Sequence, residues 1–337
     1  MFKLIITIHV LVLVTIYADE SGSDFYIISS SEKRTRRFNY VLAVSYNQPK
    51  LCPYAEWNAN ATTFANSSII ETIPRGIFIN RKNNVYIAAL GKRQIIIWLN
   101  DSQTESLILN VGHDPYSVFV TKSDDIYVEI ADNCVQKWKL KTKESMWCGI
   151  FSSRCFGLFV DLNDSLYCSV ESKHVVEKIP LNNPTNAPRI LVAGNYSKGS
   201  SFDMLSEPHG IFVDINFNLY VADCGNNRIQ RFELGQKTGT TVVNNILNCP
   251  TGVILDSDNN LYIVDHFNRI VRSRESIFEC LVGCTNEPGS TSSTLDNPFS
   301  LAFDSYGNIY VTDMNNNRIQ KFTLISNSCS KYLHGKY

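Results

Sequence analysis

The sequence has no surplus of charge of either sign: 31 Lys and Arg stand against 32 Asp and Glu, for a formal net charge of -1. No global field is available to collect a polyanion such as RNA or DNA, so nucleic acid is not an expected partner. The one basic run, Lys33-Arg34-Thr35-Arg36-Arg37, reads as a solvated linker or a processing site. Long apolar runs are missing too. The stretch from Leu4 to Tyr17 holds fourteen residues, whereas roughly 20 are needed to cross about 30 Å of hydrocarbon. No stable membrane anchor is expected. Nor does any phosphate-binding loop, spaced Ser/His/Asp set or paired-carboxylate motif stand out, and no catalytic residue is assigned. Metal-type cysteine spacing occurs only at Cys280 and Cys284, in CLVGC, with no second Cys or His pair nearby. A local disulfide is the expectation there, not a zinc site.

What is present points outside the cell. The opening MFKLIITIHVLVLVTIYA has Lys3, an apolar stretch and then Ala18, the pattern of a secretory signal peptide. Ten cysteines fit an oxidising compartment. Five Asn-x-Ser/Thr sequons, at Asn60, Asn66, Asn100, Asn163 and Asn195, fit a glycosylated extracellular surface. An apolar share of 44% with 19% charged residues is that of a folded globular chain.

The chain repeats itself. YVADCGNNRIQRF from Tyr220 returns as YVTDMNNNRIQKF from Tyr310. The wider frame fits six segments, in which Gly76, Ser117, Gly157, Gly210, Gly252 or Ser300 is followed ten residues later by Tyr86, Tyr127, Tyr167, Tyr220, Tyr262 or Tyr310. The copies lie 41, 40, 53, 42 and 48 residues apart, a period of propeller blades, not helical arrays. Each copy holds a short hairpin rich in β-branched and aromatic residues, a third strand such as IQRF, and a fourth apolar run such as TTVVNNI before the next Pro. The fold expected is all-β, a six-bladed β-propeller of four-stranded antiparallel blades. Little chain remains after Phe322 for the last outer strand, so TTFANSSII, from Thr62 to Ile70, is expected to supply it and close the ring. The organisation is then residues 1–18 signal peptide, 19–59 N-terminal linker, 60–329 propeller and 330–337 tail. Cys52 and Cys329 flank the seam and are expected to pair across it. Cys134 with Cys148, and Cys224 with Cys249, are the further pairings that the geometry suggests.

The copies P-x-G-[IV]-x-x-D, N-[IL]-Y-V-x-D and N-N-R-I-Q-x-F resemble the NHL repeat, and the likeness covers about residues 60 to 325. The Asp is absent from the first three copies, where Ala89, Ile130 and Val170 stand in its place. The resemblance implies a six-bladed propeller. It does not choose among the RNA-binding domains, extracytoplasmic sensors and peptidyl-hydroxyglycine amidating lyase that share the fold.

The residue before each Gly or Ser forms a ring at the channel mouth: Arg75, Tyr116, Phe156, His209, Thr251 and Phe299. Arg and aromatic groups are typical of recognition surfaces, and these six are the candidate ligand-binding residues, with channel plugging as the alternative role. His209, in a Pro-His pair, resembles a zinc-ligating position of the amidating lyase. A catalytic zinc needs three protein ligands, and only His113 and His266 offer themselves as companions. Arg228, Arg269 and Arg318 form either a guanidinium ring for an anion or, with Asp223, Asp265 and Asp313, a structural brace. The reading is a monomeric secreted scaffold, without cofactor, that binds a protein, peptide or glycan on its loop face. The alternative is a metal-dependent lyase or gluconolactonase-like hydrolase with zinc or calcium in the channel.

Overall fold

The computed structural model describes residues 44–71, 73–100, 102, 106–130, 133–182, 188–274 and 277–329, together with the backbone of four strands within residues 1–43. The chain divides into two units, Met1–Val44 and Ser45–Tyr337. In the first, Lys3–Ile8, Val12–Ala18, Phe25–Ser29 and Arg36–Phe38 pair in that order as an antiparallel sheet. The segment read as a signal peptide thus carries two strands, in keeping with its β-branched content. Its remaining residues, and the 330–337 tail, lie outside the described residues. Among the described residues no helix is long and apolar enough to cross a membrane.

The second unit holds six four-stranded antiparallel sheets. Their first strands are Pro74–Ile79, Val118–Val120, Cys155–Val160, Pro208–Val213, Pro250–Leu255 and Pro298–Phe303. Each lies against the first strand of the next blade, and the last returns to the first, so the six enclose a channel. The fourth blade is typical, running outward through Leu219–Asp223, Arg228–Phe232 and Thr240–Val243. Its second strand is buried at every residue, as are Val85–Ala89, Leu261–Asp265 and Ile309–Asp313. Apolar side chains on both faces are what a sheet sandwiched between neighbours requires.

Two local devices repeat with the blades. After the first strand an Asp or Asn caps the turn: Asp214 Oδ1 accepts from the amides of Asn216 at 2.9 Å and Asn218 at 2.8 Å, as Asp161, Asp256, Asp304 and Asn80 do for their own turns. The second device is the small residue on the first strand. A Cβ on Gly210 would stand 2.7 Å from the Thr251 carbonyl oxygen, so close approach of neighbouring first strands admits almost nothing larger at that position.

Ring closure follows the sequence expectation. Thr62–Ala65 pairs with Arg318–Phe322 as the outer strand of the sixth blade, with Ala65 opposite Ile319. Phe64 seats its ring 5.3 Å from Trp98 and 5.2 Å from Tyr310. A second seam lies beside it, where Leu324–Ser328 pairs with Tyr54–Trp57 and Cys52 is disulfide-bonded to Cys329. The propeller therefore starts earlier than the boundary at residue 60. Residues 45–59, read from sequence as linker, belong to it, because Asn47 donates to the carbonyls of Asn80 and Phe303, both at 3.0 Å, and Trp57 to that of Gly307 at 2.8 Å.

Candidate functional site at the channel mouth

The loop ahead of each first strand and the turn after each second strand meet on one face, as the amide of Gly225 donating to the Ser206 carbonyl shows. Asp223 locks the two together. Fully buried, it accepts from the Ser206 amide at 2.7 Å and from Arg228 Nε at 2.7 Å. Arg228 then donates to the carbonyls of Ser200, Ser201 and Met204. Asp313 and Arg318 repeat this on Asp296, Ser290, Thr291 and Thr294. Asp265 and Arg269 do so on Asn248 and Ile246. The three arginines thus hold loops in place, which is the bracing role and leaves no free guanidinium ring.

The ring at the mouth is continuous. Arg75 lies with its guanidinium carbon 4.5 Å from the Tyr116 ring centre and 4.8 Å from that of Phe299. Tyr116 contacts Phe156 at 5.2 Å, Phe156 stacks on His209 at 4.8 Å with planes 19° apart, and His209 reaches Phe299 at 6.3 Å. Thr251 stands apart in function, since it is buried and its hydroxyl donates to the Pro298 carbonyl at 3.1 Å. Arg75, Tyr116, Phe156 and His209 remain half-buried, so part of each faces the mouth. Burial lowers the Arg75 pKa below that of an ordinary arginine, an effect that Tyr116 and Glu171 partly offset and Arg154 deepens.

Three residues of the mouth escape a reading by repeat phase. Arg154, just before the first strand of blade three, also lies over the Tyr116 ring, its guanidinium carbon 4.2 Å from the ring centre. Its Nε lies 3.3 Å from the wholly buried Glu129, whose other oxygen accepts from the Tyr116 amide at 3.3 Å. Glu171 lies 3.7 Å from His209 Nε2. Burial pushes the Glu129 carboxyl up to about 8, against the pull of Arg154. The folded protein therefore keeps a proton that the unfolded chain has released, from a pH of about 4.5 up to about 8. Stability should fall as pH rises through that window, by up to roughly 1.4 kcal/mol per pH unit, and level off above it. Urea unfolding at pH 5 to 9 checks this: Glu129→Gln should remove the slope, and parallel curves for the two proteins would refute the assignment.

Below the ring the channel holds a cavity of about 110 Å³, lined by Phe78, Phe119, Phe159 and Phe212 among others. Tyr46 closes its far end, 5.3 Å from both Phe159 and Phe212. Nothing in the repeat frame announces Tyr46, because it lies ahead of the first copy.

A zinc ion does not fit this donor set. Among the described residues, the His, Cys, Asp and Glu groups that come together as possible ligands are His209, Cys224 and Cys249, within 4.8 Å of one another. The two sulfurs are bonded to each other, which leaves the imidazole as a single donor where zinc needs three. His113 and His266, its expected companions, lie outside that group.

The remaining cysteines pair Cys134 with Cys148, Cys155 with Cys168 and Cys280 with Cys284. The Cys155 bridge was legible in one respect, since Cys155 takes the place of the Pro that opens every other copy. Of the sequons, Asn60, Asn66, Asn100 and Asn163 are exposed and Asn195 is half-buried, donating to Asp203 at 3.2 Å.

A closed ring of six four-stranded antiparallel blades with a loop-built mouth defines a six-bladed β-propeller. The NHL repeat model matches residues 205–232 and 295–322, the copies with the complete Asp-Asn-Arg brace. Those two copies are NHL repeats by that match, and the six-bladed ring around them supports the likeness to NHL-repeat propellers. No curated protein matches the sequence. Solved structures do match in fold. An auxiliary nutrient binding protein from Bacteroides thetaiotaomicron shares 11% identity and a TM-score of 0.61, over 90% of this chain and 84% of that one. A gluconolactonase from Xanthomonas campestris shares 13% and 0.60, over 84% and 94%. Virginiamycin B lyase from Staphylococcus aureus shares 12% and 0.53, over 95% and 94%. At such identities the likeness is one of fold, and it spans binding proteins and enzymes alike.

Proposed function

We propose that the protein is a secreted, disulfide-stapled propeller that binds a protein, peptide or glycan through the loop face, with the channel mouth as the centre of recognition. One observation carries this reading. Arg75, Tyr116, Phe156, His209 and Phe299, each at the entry to the first strand of a different blade, form one contiguous aromatic and cationic surface, the composition of binding hot spots. The disulfide brace and the Asp–Arg locks keep those loops rigid, which lowers the ordering cost of association. Five disulfides and four exposed sequons support secretion and glycosylation. A lyase or hydrolase reading has His209 alone to build on.

The test is a side-by-side screen of the folded, oxidised protein and its Tyr116→Ala variant on glycan and peptide arrays. Ligands held by the wild type should weaken at least about tenfold in the variant, which corresponds to about 1.4 kcal/mol. Ligands indifferent to Tyr116, or turnover of an array substrate that Tyr116→Ala leaves intact and His209→Ala abolishes, would contradict the proposal.

A further inference from the structure

We propose that the mouth recognises a carboxylate attached to a flat or apolar group, with Arg75 as the donor. The inference rests on the binding reading above and names the chemistry of its ligand.

Hydrogen-bond bookkeeping at the mouth singles out Arg75. Arg154 Nε lies 3.3 Å from Glu129, and His209 Nε2 lies 3.7 Å from Glu171. Arg75 has no such close partner: no side chain or backbone carbonyl among the described residues accepts a hydrogen bond from it, and its Nε is buried without a partner. Leaving a buried donor unpartnered is costly, and natural proteins keep few of them.

The geometry selects the ligand. Tyr116 and Phe299 both pack close to the Arg75 guanidinium, which remains half-buried at the mouth. A guanidinium stacked on aromatic rings still presents its N–H fork in plane, and that fork matches the two oxygens of a carboxylate. The aromatic walls contributed by Tyr116, Phe156 and Phe299 suit a flat or apolar body behind the carboxylate. A doubly charged phosphate is the poorer fit, because the partly exposed Glu171 stands beside the same opening, 3.7 Å from His209. His209 has its Nδ1 buried and without a hydrogen-bond partner, a second polar group on the same surface that a ligand can engage.

Benzoate, benzamide and inorganic phosphate are the probes, titrated into the full-length oxidised protein and followed by NMR line shifts. Benzoate should saturate with a dissociation constant on the order of millimolar, as fits a ligand of its size. Benzamide, the same shape without the charge, and phosphate should each bind at least about tenfold more weakly. Arg75→Gln should lose the benzoate response and Arg75→Lys should weaken it, while Arg93→Gln, an exposed arginine paired with Asp114, should leave it unchanged. Equal binding of benzoate and benzamide, an undiminished response in Arg75→Gln, or no saturable response in the wild type would each overturn the assignment. Should Arg75→Gln not fold, the comparison of benzoate with benzamide on the wild type decides alone. Array ligands that still depend on Tyr116 when benzoate fails would retire the carboxylate and keep the binding face; loss of both would retire both.

Discussion

Asp223→Ala is expected to destabilise the propeller by about 3–5 kcal/mol, because it leaves the buried Arg228 guanidinium without its counter-charge. The carboxylate is fully buried and accepts from Ser206, Arg228 and Asn226. Its removal frees the loop that leads into the Pro208–Val213 strand as well as the turn behind it. In thermal terms the loss is roughly 6–15 °C, read by calorimetry on the oxidised protein. Blades one to three put Ala89, Ile130 and Val170 at the same position, and the paired third-strand residues there, Gln94, Cys134 and Val175, carry no guanidinium. The cost therefore belongs to the stranded charge and not to the loss of a carboxylate as such. A change under about 1 kcal/mol would show that the Asp–Arg pair merely occupies its site.

The second large effect is expected at the seam. Cys52 and Cys329 are 277 residues apart, so their bond removes more freedom from the unfolded chain than any other in the molecule. By chain entropy it contributes roughly 5 kcal/mol, whereas a loop as short as that between Cys280 and Cys284 yields about 2. The double replacement Cys52→Ser, Cys329→Ser should lower the midpoint of urea unfolding far more than Cys280→Ser, Cys284→Ser. Equal losses would place closure in the strand pairs Thr62–Ala65 with Arg318–Phe322 and Tyr54–Trp57 with Leu324–Ser328 instead.

What the sequence reveals here and what it conceals divide along the repeat. Six Tyr residues at a fixed offset from six Gly or Ser residues define blades, and the blades define the mouth, so Arg75, Tyr116, Phe156, His209 and Phe299 could be placed together before any coordinates. The physical reason is that strand alternation and ring closure leave one direction for the residue before each small one. Features outside that phase stay hidden. Tyr46 plugs the channel from a segment with no strand pattern. Tyr54–Trp57, only four residues long, is too short to announce a strand. Arg154 and Glu129 meet at Tyr116 through side-chain reach that spacing does not encode. Thr251 has the right phase and yet points its hydroxyl to a backbone carbonyl, since a small polar side chain in a buried site satisfies itself locally. The histidines failed as a set for a related reason: loops that share a face do not thereby bring their side chains within ligand distance.

The claim that the mouth is a recognition surface and not a metal centre has a direct test in the metal content of the full-length, oxidised protein purified without chelator, compared with His209→Ala. Zinc and calcium well below one equivalent, and alike in both proteins, is the expected result. Stoichiometric zinc or calcium in the wild type that disappears in His209→Ala would contradict it and return the mouth to catalysis.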